Sequence, residues 1–397
     1  MRLIISFIYL ILPSLAQLIP NHKSLSAAKQ NAAIIQANIK NNSHFIIPKN
    51  TYYIHPIEIQ NIYNSVLQID AKLIAYPDIK HWAKSNGVYK DIFYLSQSNN
   101  FSIKGSGSID GMGTIWWKDV LEHRQHDLRG NMFTIREAKY LNIFGIKAIN
   151  SPKFYFSIKK SKDIYIDSVE IETKWDGNQL YFPFNTDGID IEGENAVVSN
   201  IKIKNYDDAV AIKPSNNGKC SQNILVENAS ITYGVGMSIG SVPPNKKINC
   251  IRNVTFRNIQ FYEPLKAIYI KTNPGSVGSG VISNIMYENI KIHKPKWYSL
   301  YIGPQQQHEP DGKGPGCMLY PVEKCPTEPR ITIENISLRN VHDTSGLLNI
   351  LRCNKSNPCH NFELDNVDLK GKYIIENVEI KKKMLFDNYI MSQSPHK

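Results

Sequence analysis

A four-residue unit, a small residue or asparagine followed by apolar, variable and apolar positions, recurs along this 397-residue chain. It reads SVEI at Ser168, NIKI at Asn200, NASI at Asn228, NIQF at Asn258, NIKI at Asn289, NISL at Asn335 and NVDL at Asn366. The successive intervals are 32, 28, 30, 31, 46 and 31 residues. Short alternating strands such as QNILVEN and IRNVTFRN flank each unit, without intervening helices. That spacing does not suit a doubly wound α/β sheet. A coil of two or three short strands cannot bury its own inner face, so successive coils must stack. The pattern predicts an all-β chain, a single-stranded right-handed parallel β-helix with rungs about 4.8 Å apart. Asparagines recurring at one position per rung would bond to each other as a ladder. A propeller would need longer repeats, ~40–45 residues, and the ladder offset argues against a sandwich.

A stack of coils needs its first open rung covered. The segment SLSAAKQNAAIIQANIK has helical apolar spacing, with Ser24 or Ser26 available as N-cap, and is read as a short N-terminal capping helix. The cap region spans 17–45 of one β-helix domain covering 17–397. The long interval before Asn335 holds a Pro/Gly/Cys-rich stretch, residues 303–326, read as a surface insertion.

Residues 1–16 carry Arg2, an apolar run and small residues, the pattern of a secretory signal. Secretion to an extracellular, oxidising compartment follows, and no later stretch is long and apolar enough for a membrane span. The six cysteines all lie in the second half; nearest-neighbour disulfides would be Cys220–Cys250, Cys317–Cys325 and Cys353–Cys359. Their spacing does not resemble a zinc site. Six sequons, at Asn41, Asn100, Asn228, Asn253, Asn335 and Asn354, mark candidate glycosylation sites. The net charge of +11, without a basic cluster, suits an acidic polysaccharide better than nucleic acid.

Two acidic motifs stand out. FPFNTDGIDIEG contains Asp187 and Asp190, and NYDDAVAIKP contains Asp207 and Asp208. Asp187 and Asp207 are 20 residues apart, which places them on neighbouring rungs of a compact coil. Carboxylates so close repel, and one takes a raised pKa. One group can then stay protonated as general acid while another deprotonates water, the division that glycoside hydrolysis needs. In the inverting form the two carboxyl groups stand ~6.5–9.5 Å apart. A calcium site is the structural alternative. On later rungs Val235, Tyr269, Lys271 and Tyr298 fall just beyond the same strand and are expected to line one groove. Glycines Gly234 and Gly236 are expected to keep backbone close to a ligand.

These residues resemble the polygalacturonases, family 28 of the glycoside hydrolases, with a pectin-lyase-like solenoid fold. GSGSIDGMGTIWW (Gly105–Trp117), NTDG (Asn185–Gly188), the Asp207–Asp208 pair, GMSIGSV (Gly236–Val242) and IKT (Ile270–Thr272) are similar to the family's motifs in order and spacing. The resemblance implies a secreted, monomeric, cofactor-free and metal-free pectin hydrolase. Asp207 would protonate the glycosidic oxygen, and Asp187 and Asp208 would activate water. Lys271, helped by Lys213 or Lys246, would bind a galacturonate carboxylate, and Tyr269, Tyr298, Gly234 and Gly236 would contact sugar. Three features depart from the family pattern. A cysteine usual after the paired aspartates is Ala209 here, and its usual partner before Tyr233 is also missing. Val235 stands where a histidine is usual, and Tyr269 stands where an arginine is usual. The alternative implied is a catalytically silent member that binds pectin or plant inhibitor proteins.

Overall fold

The computed structural model describes residues 17–123, 127–215, 219–243, 248–273, 279–306, 317–382 and 389–390. The signal sequence at 1–16 and Lys246 lie outside them. Twenty-seven strands pair in parallel into one continuous right-handed coil; a small antiparallel hairpin, Lys84–Ser85 with Val88–Tyr89, lies apart. Each strand pairs with its counterpart one turn on, so alternate side chains point inward. One inner column runs Phe93, Phe133, Phe156, Ile189, Val210, Met237, Ile268 and Leu300. Its three phenylalanines stack at 4.8 and 4.9 Å. This like-on-like packing forms the buried core, and it is why strands buried on their inner face are so rich in isoleucine and valine.

The corners are made by asparagine. Asn200, Asn228, Asn258, Asn289, Asn340 and Asn366 all have φ between 51° and 56°, the left-handed region. Asparagine tolerates that conformation better than other side chains with a Cβ. Each amide donates to the oxygen of the asparagine one rung earlier, at 3.3, 3.2, 3.0, 2.9 and 2.8 Å. A second ladder of Asn195, Asn223, Asn253, Asn284, Asn335 and Asn361 runs beside it, anchored on Asp163. Asn100 belongs to a third, with Asn64 and Asn42. Asn335 was expected in the column of Asn289, but Asn289 pairs instead with Asn340, 51 residues on. The turn holding the insertion is therefore longer than the repeat spacing suggested.

The first rung is covered as expected by a helix, Leu25–Asn38, whose cap Ser24 accepts from the amide of Ala27. A second helix, Gly113–His123, was not foreseen in GSGSIDGMGTIWW. The three disulfides follow nearest-neighbour pairing, and Cys220 and Cys250 are direct partners on adjacent rungs.

The insertion does not lie on the surface throughout. Cys317, Tyr320 and Cys325 are buried and pack with Val235, Tyr269, Tyr298, Tyr301 and Ile350 in a second apolar cluster outside the coil. Gln306 donates to the Tyr298 hydroxyl at 3.1 Å, and the Cys317 amide bonds the carbonyl of Gln306 at 3.0 Å.

An interior ladder residue loses both its left-handed preference and its amide bonds on truncation. Asn258→Ala is expected to cost about 1–3 kcal/mol in urea unfolding. A shift under about 0.5 kcal/mol, the level of an ordinary surface change, would mean that the ladder adds nothing to the backbone pairing.

Candidate active site

The aspartates stand at the corner that precedes one sheet of the coil. The pairing of Ile189 with Val210 and of Val210 with Met237 sets Asp187, Asp208 and Val235 in one column. The turn between Asn205 and Val210 holds four residues, and the next, between Tyr233 and Met237, holds three. Val235 therefore aligns with Asp208, not with Asp207, although Asp207 and Val235 each stand seven residues beyond a repeat asparagine, Asn200 and Asn228. Buried Asn205 shapes the longer turn: its amide nitrogen donates to the carbonyls of Thr186, Asp207 and Asp208 at 2.9, 3.0 and 2.8 Å.

One carboxylate oxygen each of Asp187, Asp207 and Asp208 lies within 4.8 Å of the others. Two ammonium groups share the site. Lys271 Nζ is 2.6 Å from Asp208 Oδ2. Lys213 Nζ lies 3.8 Å from Asp187, 3.5 Å from Asp190 and 3.5 Å from Asp208. These lysines bring the positive charge that a hard cation would otherwise supply. Ser238 donates to Asp208 Oδ1 at 2.6 Å.

Asp208 thereby becomes the ionised member. Burial alone would raise its pKa, but Lys271, then Lys213, and the hydrogen bonds from Lys271 and Ser238 bring it below the ordinary value. Asp207 is displaced the other way, by burial and then by the charge of Asp208. It is half-buried and accepts the amides of Asn185 and Asp208 at 3.1 and 2.9 Å. Asp187 is pushed well up by burial, then by Asp207 and Asp190. Asp190, one outward position along the strand, is pushed up by burial to about 6 against the pull of Lys213.

Three expectations change here. Lys271 is 6% exposed and turned onto Asp208, so its charge serves that carboxylate. Tyr269 and Tyr298 are fully buried in the second cluster and present no ring to a groove. The glycines answer to backbone packing: a Cβ on Gly236 would meet the carbonyl oxygen of Ala267 at 2.1 Å, and one on Gly234 would meet Asn205 Oδ1 at 2.5 Å. Val235 is 4% exposed among the same apolar neighbours. The departures at 235 and 269 are thus parts of one packing arrangement, closed from outside by the Cys317–Cys325 segment.

Sequence reasoning gave no role to Asp190, Ser238, Asn205 or Lys266. Strand alternation offered a signal for Asp190 and Ser238, which share one outward column. Lys266 is 2% exposed, with its ammonium 4.2 Å above the Tyr269 ring, and burial followed by Lys271 holds its pKa down to about 7.

The comparisons with known proteins bear on the family and the fold. The sequence model described as glycosyl hydrolases family 28 matches residues 37–384. A probable polygalacturonase of Arabidopsis thaliana is 26% identical over 338 residues, 83% of this chain and 70% of the relative. A polygalacturonase of Juniperus ashei is 26% identical over 316 residues, covering 76% of this chain and 56% of the relative. Among solved structures, a polygalacturonase from Erwinia carotovora superposes with a TM-score of 0.68 at 19% identity, over 87% of this chain and 97% of that one. An endo-xylogalacturonan hydrolase from Aspergillus tubingensis gives 0.66 at 19%, over 91% of both.

Asp190 also ties stability to pH. Its folded pKa of about 6 exceeds the ordinary 3.8, so its contribution is complete below the ordinary value and is lost as pH rises through 6. Between about pH 4 and 7 the melting temperature of the parent should fall more steeply than that of Asp190→Asn. Parallel curves would show that Asp190 is ionised throughout.

Proposed function

The chain belongs to family 28 of the glycosyl hydrolases, and from that premise we propose that it is a secreted hydrolase of pectic polysaccharide. It cleaves α-1,4-galacturonosyl or related linkages with inversion, as a monomer, without metal or organic cofactor. The observation that carries this reading is the opposite electrostatic setting of two adjacent carboxyls. Burial and the charge of Asp208 push the pKa of Asp207 up, toward its protonated form, while Lys271 and Lys213 pull that of Asp208 down, toward its ionised form.

Asp207, the more exposed of the pair, donates its proton to the glycosidic oxygen as the bond breaks. A water held by Asp187 and Asp208 attacks the anomeric carbon from the other face and gives up a proton to the ionised Asp208. A single water reaches two carboxylate oxygens up to about 5.6 Å apart. One oxygen each of Asp187, Asp207 and Asp208 lies within 4.8 Å of the others, closer than the ~6.5–9.5 Å expected between acid and base for inversion. Lys271 and Lys213 keep Asp208 ionised beside its neighbours. They also support the negative charge of a bound uronate through the one ammonium that is partly open, Lys213, at 30% side-chain exposure.

A second reading is favoured by one observation. Val235 and Tyr269, at positions where the family pattern has a histidine and an arginine, are sealed in the apolar cluster. A chain without those polar groups would bind pectin, or a plant inhibitor protein, without cleaving it. Release of reducing ends from polygalacturonate, rhamnogalacturonan and xylogalacturonan decides between the two. Activity on at least one polymer, with the inverted anomer as first product and a ~10²–10⁴-fold loss in Asp207→Asn, is expected. Binding without release by the parent protein would leave the silent reading standing.

Lys271 gives a sharper check on the roles. Its charge lowers both Asp208 and Asp207. Lys271→Met should therefore move both limbs of the pH–rate profile to higher pH, along with a fall in kcat. An unmoved acid limb would mean that Asp208 is not the base.

A further inference from the structure

We propose that the outer face on the N-terminal side of the aspartates is an anionic-sugar subsite, in which Lys159 and Arg136 take the carboxylates of uronate residues. The inference rests on the reading of the site as pectin-directed and adds where the acidic polymer lies.

Strand register builds the subsite. Ser157 pairs with Asp190, and Thr134 with Ser157, so the column that carries Asp190 continues toward the N-terminus as small hydroxyl residues. The next outward column runs Arg136, Lys159 and Glu192. Lys159 is therefore one rung from the aspartates and Arg136 two, steps of about 4.8 Å each.

Both side chains are half-buried, and neither makes an ion pair among the described residues. The other cations nearby are already engaged. Arg129 is bound to Asp127 at 2.7 Å, and Lys153 to the same carboxylate at 3.0 Å. The charge of Lys159 acts on both Asp91 and Asp190, and by register Lys159 lies two residues along the strand from Ser157 in the hydroxyl column. Ser157 is fully buried and its Oγ has no hydrogen-bond partner among the described residues. A strip with two half-buried cations that make no ion pair among the described residues, and an unsatisfied hydroxyl, suits a ligand that carries carboxylates and hydroxyls together.

Among the described residues, the opposite side of the aspartates offers no equivalent. There the same column continues as Tyr269, Tyr301 and Ile350, all fully buried under the disulfide-closed segment. Buried Lys266 faces aromatic rings there, and buried Lys271 is turned onto Asp208. A polyanion next to the aspartates finds exposed positive charge on the N-terminal side.

Calorimetric titration of a short galacturonate oligomer into Asp207→Asn protein tests this without turnover. Adding Lys159→Met or Arg136→Met should weaken binding about tenfold each and flatten its salt dependence. Lys159→Arg should recover most of the loss. Binding of the fully methyl-esterified oligomer, which lacks the charges, should change less than twofold. Arg257→Met, which removes an exposed guanidinium held by Glu227 on another strand column, should leave both ligands unaffected, and circular dichroism checks that each variant is folded. Tight binding that ignores Lys159 and Arg136, or equal losses for acidic and esterified oligomers, would overturn the subsite and leave the pectin reading intact. Absence of binding by the Asp207→Asn parent to either oligomer would overturn both.

Discussion

Everything at this site depends on the parallel pairing of one rung with the next. A one-residue slip in the alignment of Ile189 with Val210 would turn the inward column outward and part Asp187 from Asp208. The asparagine corners guard against that slip. A left-handed residue is needed at the same place in every rung, and the amide bond from each corner to the one before it is made only in register. The contribution of each bond is small, roughly 0.5–1.5 kcal/mol, but the ladders repeat along the coil. Precision at the aspartates is thus inherited from corners that never touch them.

Charge then differentiates side chains that the backbone has brought together. Four buried or half-buried carboxyls sit around two ammonium groups. Geometry alone would leave them similar. The direct contact of Lys271 with Asp208, reinforced by Ser238, favours the ionised form of that carboxyl, and its charge raises the pKa of its neighbour Asp207. Which carboxyl the lysine reaches therefore sets which of them is drawn toward the ionised form.

Much of this was legible in the sequence, and the failures have physical causes. Recurrence of asparagine revealed the rungs, and the Asp187, Asp207 and Asp208 spacing revealed the cluster. Each later rung, however, carries two corner asparagines five residues apart, as in Asn284 and Asn289 or Asn335 and Asn340. A local motif does not say which of two parallel ladders it belongs to, so Asn335 was placed in the wrong one. The extra residue in the Asp207 turn was hidden for a similar reason, because equal offsets from a corner hold only while the turns are equally long. Burial of Tyr269 and Tyr298 was out of reach altogether. It depends on a segment some 20 to 50 residues further along the chain folding back over them, and no periodicity encodes that contact.

The ladders carry one more consequence, for chemistry on the surface of the coil. Asn100, Asn228, Asn253 and Asn335 are sequon asparagines and also ladder members, each donating an amide hydrogen to the rung before. A primary amide has two hydrogens on one nitrogen. An attached sugar takes the place of one, and the ladder holds the other, so fold and modification draw on the same atom. Asn41 is placed differently: its oxygen accepts the amide of Tyr63 at 3.0 Å. At that asparagine the rung claims the carbonyl and leaves the nitrogen to the solvent side of the chain's chemistry.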